Sequence, residues 1–277
     1  MSMVAPAAIL ADPPQQFQRA QGEGRISTRW RDGRTHLATL YQAGCAKIRL
    51  PNTHSPTLEA ALINTAGGLT GGDDLRWHAT AAPETRLVLT TPACERIYRS
   101  LGEDAKVVIR LSVGRGAHLD WLPQETILFD GSRLNRRLDV DLAEDASLTL
   151  AETVLLGRQA MGETARTAQL RDNWRIQRQG RLVHAEATQL RKDGADRDSL
   201  SLLDGASAFG TILFIGDNAE RKLQKVRRLI PAAARAGASL VDDRLIVRAV
   251  AASALMLRRI IVPILAELSQ GGALPRH

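Results

Sequence analysis

A chain of 277 residues, 44% hydrophobic and 24% charged, can bury a sizeable core as one large domain or two small ones. Lys plus Arg outnumber Asp plus Glu by 37 to 30, a formal net charge of +7, but arginine is spread along the chain and aromatics are only 4%, unlike the clustered charge of a nucleic-acid-binding module. Cys45 and Cys94 lie far apart in no C-x-x-C pair, which argues against a disulfide framework or cysteine zinc site and suits a reducing compartment.

In chain order, residues 1–24 are expected to form a tail and residues 25–277 a single mainly-β domain. The Ala-rich stretch from Ala5 to Ala11 is short, broken by Pro6 and without a basic region, so no export signal is predicted. The run from Asn64 to Asp73 holds Gly67, Gly68, Gly71 and Gly72. Such a loop can take positive φ and approach a neighbouring backbone closely. It lacks both the Gly-Lys-Ser/Thr ending of a phosphate loop and the G-x-G-x-x-G spacing of a dinucleotide fingerprint, so nucleotide binding is not expected.

Strand signals follow. Val107, Ile109, Leu111 and Val113 alternate with outward residues, as do Leu138, Val140 and Leu142, and residues 86–90 and 147–150 repeat the pattern. Gly114-Arg115-Gly116, Asp130-Gly131-Ser132 and Ala143-Glu144-Asp145 supply the turns. Residues 117–121 and 125–128 resemble residues 146–150 and 152–155, about thirty residues later. That spacing suggests successive coils or stacked hairpins sharing one core, although chance explains two copies equally well and three are the usual minimum. Helices are expected late, over about 218–234 and 250–268. The first carries a basic face with Arg221, Lys222, Lys225, Arg227 and Arg228, either a solvated surface or a contact for an acidic partner. The second is interrupted by Arg258, Arg259, Pro263 and Glu267, so it reads as packed rather than membrane-inserted. A cytoplasmic protein is expected.

Six scattered histidines form no H-x-H or H-E-x-x-H pair, and no G-x-S-x-G elbow is present. Asp73, Glu125, Asp130, Glu152 and Glu163 stand beside glycine loops or strand ends. Each reads either as an arginine or backbone partner or as an oxygen ligand on a path for a fast-exchanging divalent cation.

The run Ile63 to Asp73 resembles the signature of the UreD urease accessory protein family, called UreH in some organisms. Thr90-Thr91-Pro92-Ala93 with Ile97-Tyr98-Arg99-Ser100, Trp121-Leu122-Pro123-Gln124 with Ile127-Leu128-Phe129-Asp130, Gly157 to Glu163, and Trp174 with Arg178 and Gly180 continue the resemblance in family order over residues 25–215. It implies an elongated, mainly-β, β-helix or solenoid-like stack of strands with a few α-helices towards the C-terminus. It further implies a non-catalytic scaffold that binds apo-urease, UreF and the GTPase UreG in a higher-order complex, with no membrane or nucleic acid involved. Transient Ni²⁺ would pass through along an internal tunnel, with no permanently bound cofactor. Asn64, Gly67, Gly68, Gly71, Gly72, Tyr98 and Arg158 are then expected at a loop or partner surface, and the five carboxylates along the nickel path. Cys94 has no assigned role. The alternatives are a polysaccharide-acting β-helix enzyme, which needs paired carboxylates in an open cleft, and a basic nucleic-acid-binding module.

Overall fold

The computed structural model describes residues 18–158 and 161–269. Most of the expected tail, and Gln159 and Ala160 of the Gly157–Glu163 block, lie outside the described residues. Two sheets face each other. The first has seven strands: β1 (Gln21–Arg31), β2 (Arg34–Gly44), β5 (Asp74–Ala81), β8 (Ala105–Val113), β11 (Arg133–Leu142), β13 (Gln169–Arg178) and β14 (Arg181–Leu190), in the order β14-β13-β11-β8-β5-β1-β2. The second has ten: β3 (Ala46–Arg49), β4 (Leu58–Asn64), β6 (Arg86–Thr90), β7 (Glu95–Ile97), β9 (His118–Leu122), β10 (Thr126–Leu128), β12 (Ser147–Leu156), β15 (Ala208–Ile215), β16 (Arg235–Val241) and β17 (Arg244–Ala251). β1 begins at Gln21, inside the stretch expected as a tail.

The chain crosses from one sheet to the other and back, and each return pairs in parallel with the previous coil. Trp77, Ile109, Leu138 and Trp174 are thereby in register. On the opposite sheet Leu87, Leu119 and Leu148 align, as do Ile97, Leu128 and Leu156. The thirty-residue repeat read from the sequence is this coil, and the copies extend beyond the two that were visible. All ten of these side chains are buried. Because strand side chains alternate, a one-residue slip would turn each apolar column outward, and burying a leucine or isoleucine is worth about 2 kcal/mol. The columns therefore fix the register.

The C-terminal part departs from the coil. α1 (Ala195–Asp198) leads to β15, which runs antiparallel to β12, and the β16–β17 hairpin extends the same sheet. α2 (Ala219–Leu229) and α3 (Ala254–Leu268) cover its outer face through Leu223, Val226, Leu257, Ile260 and Ile264. Both helices are shorter than expected. Residues 230–234 leave the helix around Pro231, whose ring and missing N–H cannot continue it, and residues 250–251 belong to β17, where Val250 pairs with Phe209 and Arg235. Ser253 caps α3, its hydroxyl accepting from the Met256 amide at 3.3 Å.

A buried histidine closes this layer. His118 bonds Asp120 through Nε2 at 2.8 Å and the Ser147 hydroxyl through Nδ1 at 2.7 Å. The other Asp120 oxygen accepts from Ser269 at 2.8 Å. The order Ser–His–Asp resembles a nucleophilic array, but its far end ties the end of α3 to β9.

Candidate functional site

Two polar constellations emerge from the coil. The first lies along one corner, where the turns of successive coils stack. The glycine loop packs on the next turn, with the Leu69 amide donating to the Arg96 carbonyl and the Tyr98 amide to the Leu69 carbonyl. The Tyr98 hydroxyl donates to the Gly67 carbonyl at 3.3 Å. Tyr98 meets Phe129 edge-on at 5.1 Å, and the Arg158 guanidinium lies 4.6 Å from the Phe129 ring centre. Arg158 also donates to Glu163 at 2.7 Å, whose second oxygen accepts from the Asp130 amide at 3.0 Å. Asp130 in turn accepts from the Thr167 amide and hydroxyl. Arg158 holds the Glu163 carboxyl below its usual value, and the Thr167 amide does the same for Asp130.

Asn64, Gly67, Gly68, Tyr98, Asp130, Arg158 and Glu163, dispersed over a hundred residues, thus form one continuous strip. Asp73, Gly71 and Gly72 close its end. Asp73 is buried, and its two oxygens accept from the Ala20 amide at 2.8 Å and the Thr70 amide at 2.7 Å, so its carboxylate is committed to folding the loop. Gly68 has φ 142°, and a Cβ there would overlap the Tyr98 ring and meet the Arg96 carbonyl at 2.7 Å. Gly67 has φ 77° but faces open space. Gly68→Ala is therefore expected to cost about 2–4 kcal/mol and Gly67→Ala about 1 kcal/mol, a difference that paired urea denaturation curves measure.

The second constellation lies between the sheets. Arg136 points inward from β11, flanked by Leu134 and Leu138. Its guanidinium donates to both Asp172 oxygens, at 3.0 and 2.6 Å, to Thr126 at 3.2 Å, and closely to Glu152. Glu152 also accepts from the Trp121 indole at 2.8 Å, and Asp172 from the Trp174 indole at 3.2 Å. Burial opposes the Arg136 charge, yet Asp172 and Glu152 raise its pKa above the ordinary arginine value. Burial pushes the Glu152 carboxyl upward, against the pull of Arg136.

Beside this cluster is a chamber of about 50 Å³ with mainly apolar walls from Leu75, Trp77, Ile97, Val107, Ile109 and Leu134, into which Thr91, Glu95, Gln124, Thr126, Arg136 and Glu152 bring the polar groups, room for a few waters. Glu95 is partly buried and accepts from the Asn64 amide nitrogen at 3.1 Å. Burial pushes its carboxyl up to about 7, only partly offset by Asn64. Pro123 and Gln124 also line a second pocket of about 60 Å³ beneath α3. There Arg258 grips Glu125 at 2.5 and 2.7 Å and Gln124 at 3.2 Å. Burial favours a neutral Glu125, but the Arg258 fork brings its carboxyl below the usual value. The Cys94 thiol donates to Glu125 at 3.3 Å and is pushed up to about 11 by burial first and by that carboxylate second.

The five sequence-selected carboxylates therefore divide. Asp130 and Glu163 meet on the corner, Asp73 pins its end, Glu152 is in the interior, and Glu125 is held by α3. Glu95, Arg136 and Asp172 escaped the sequence reading. Their signal is a charged residue in the apolar phase of a strand: Glu95 two before Ile97, Arg136 between Leu134 and Leu138, Asp172 between Leu170 and Trp174. Among the described residues no group of three or more His, Cys, Asp or Glu side chains is arranged to hold a metal ion, and no helix is long and apolar enough to cross a membrane.

These features define a solenoid-like β protein with a charged interior and a stacked-turn corner. The family model for the UreD urease accessory protein matches residues 20–276. The chain is 58% identical to a urease accessory protein UreD of Chelativorans sp. (strain BNC1) over 263 residues, 95% of each chain. It is 48% identical to that of Rhizobium etli over 260 residues, 94% of this chain and 95% of the relative. A third, from Agrobacterium fabrum, is 48% identical over 267 residues, 96% and 93% of the two chains. The chain belongs to the UreD urease accessory protein family.

Proposed function

We propose that this chain is a non-catalytic, cytoplasmic scaffold and chaperone of urease maturation, binding apo-urease with UreF and UreG and helping to deliver Ni²⁺ to the urease active site. GTP hydrolysis falls to UreG, in keeping with the missing phosphate-loop motif. The observation that carries the nickel part is the interior chamber, where Glu95 has one side-chain hydrogen bond, from Asn64, and a carboxyl near neutrality. Oxygen donors exchange a divalent cation quickly, whereas a cysteine or histidine cage would retain nickel, and a carboxyl near 7 trades its proton for the ion at little cost. Glu152, Asp172 and Thr126 are occupied by Arg136, whose charge repels a cation, so the path follows Glu95 and Thr91. The Pro123–Gln124 wall leads it towards the pocket under α3. The stacked corner, with Tyr98 39% exposed, serves as a partner surface.

The test is co-purification of the tagged chain with UreF, UreG and apo-urease, followed by addition of Ni²⁺, bicarbonate and GTP. Complex formation and urease activation that depend on this chain are expected. A folded chain that associates with none of the three would sink the scaffold reading.

A further inference from the structure

The outer face of the seven-stranded sheet is the least explained surface of the molecule. Parallel strands normally have both faces covered. Here the ten-stranded sheet is covered by α2 and α3, while the outward residues of β1, β5, β8, β11 and β13 are capped by none of the described elements. Those residues form a charge mosaic. One row across the sheet reads Arg25, His78, Arg110, Asp139 and Arg175, and the adjacent row holds Arg76 and Arg137.

Several of these charges cancel locally. Arg25 pairs with Glu23 at 2.7 Å, Arg76 with Asp74 at 2.8 Å and Arg137 with Asp139 at 2.7 Å. Arg110, Arg175 and Lys106 are exposed and have no salt bridge among the described residues, and Asp141, exposed and likewise without one, lines the same depression as Arg110 and Arg175. A shallow depression of about 390 Å³ runs between Arg110, Arg137 and Arg175. Five strands at ~4.8 Å spacing and 3.3 Å per residue span roughly 24 by 30 Å, about 700 Å². That is close to the ~800 Å² each partner contributes to a standard protein interface.

We propose that this face docks an acidic protein surface, with Arg110 and Arg175 as the central contacts. Free guanidiniums recognise carboxylates in a fork geometry, and the excess positive charge steers a negative partner onto the sheet. The acids interleaved with the arginines favour a protein over a nucleic acid, because each would repel a phosphate chain, and the one aromatic in register with these rows among the described residues, Tyr41 on the edge strand β2, already stacks against Arg25, 5.4 Å from its guanidinium. The inference is independent of nickel transit.

The test uses the full chain, a fluorescent poly-glutamate peptide and a single-stranded DNA oligomer of matched charge, read by anisotropy at low and physiological salt. The peptide should bind more tightly than the DNA. Arg110→Glu with Arg175→Glu should weaken peptide binding about tenfold, and the double alanine variant should act in the same direction. Arg221→Glu with Arg228→Glu on α2 should stay within about twofold, circular dichroism confirming that all variants fold. Undiminished binding by the sheet variants, loss in the α2 variant instead, or preference for DNA would each overturn the proposal.

Discussion

Arg136→Ala is expected to destabilise the fold by about 3–5 kcal/mol, because it leaves two buried carboxylates facing each other without their shared cation. Glu152 and Asp172 are 5% and 4% exposed, and both the Trp121 and Trp174 indoles are oriented by them. The loss therefore reaches both sheets through β9, β11, β12 and β13. Urea denaturation at neutral pH measures it as a drop in midpoint. Arg136→Met combined with Glu152→Gln and Asp172→Asn should recover most of the stability, since neutral groups of similar shape carry no uncompensated charge. A drop below about 1 kcal/mol for the alanine variant would mean that the cluster is solvated rather than closed.

Glu95→Gln is expected to act in the opposite direction. Burial raises the folded carboxyl to about 7, above an unfolded value near 4.3. A raised folded pKa means that the favourable contribution of Glu95 is fully present below the unfolded pKa and is lost as pH rises through the folded one. Between about pH 5 and pH 8 the natural chain should therefore lose roughly 2 kcal/mol relative to Glu95→Gln, after allowance for partial exposure. Contributions common to both proteins cancel in the difference between them. Denaturation curves at both ends of the window check it, and a pH-independent difference would place Glu95 in an ordinary solvated setting. A residue that costs stability at neutral pH, and is simple to relieve by one substitution, is the kind retained for function.

The coil was legible because its rule is local: Val107 to Val113 and Leu138 to Leu142 alternate, and the turn residues between them fall where the chain changes sheets. The corner was legible through signature blocks whose spacing, about thirty residues, equals one coil, so residues far apart in sequence stack in space. The interior cluster was not. Asp172 and Arg136 meet only because β11 and β13 pair in parallel, a long-range register that no local pattern encodes. Glu152 is singled out by the sequence, but it sits in a run buried throughout, where alternation gives no phase that would join it to Arg136. The β16–β17 hairpin was missed for another reason: small alanines and a basic, Ala-rich context satisfy helix and strand periodicity about equally.

Nickel delivery through the chamber is the central claim, and the nickel content of urease matured with the Glu95→Gln chain tests it most directly. Because that variant is expected to be at least as stable as the natural chain at neutral pH, a defect cannot be assigned to unfolding. The account predicts that complexes with UreF, UreG and apo-urease form normally, while bound nickel and urease activity both fall by about tenfold. Nickel content equal to that obtained with the natural chain would contradict an interior route through Glu95.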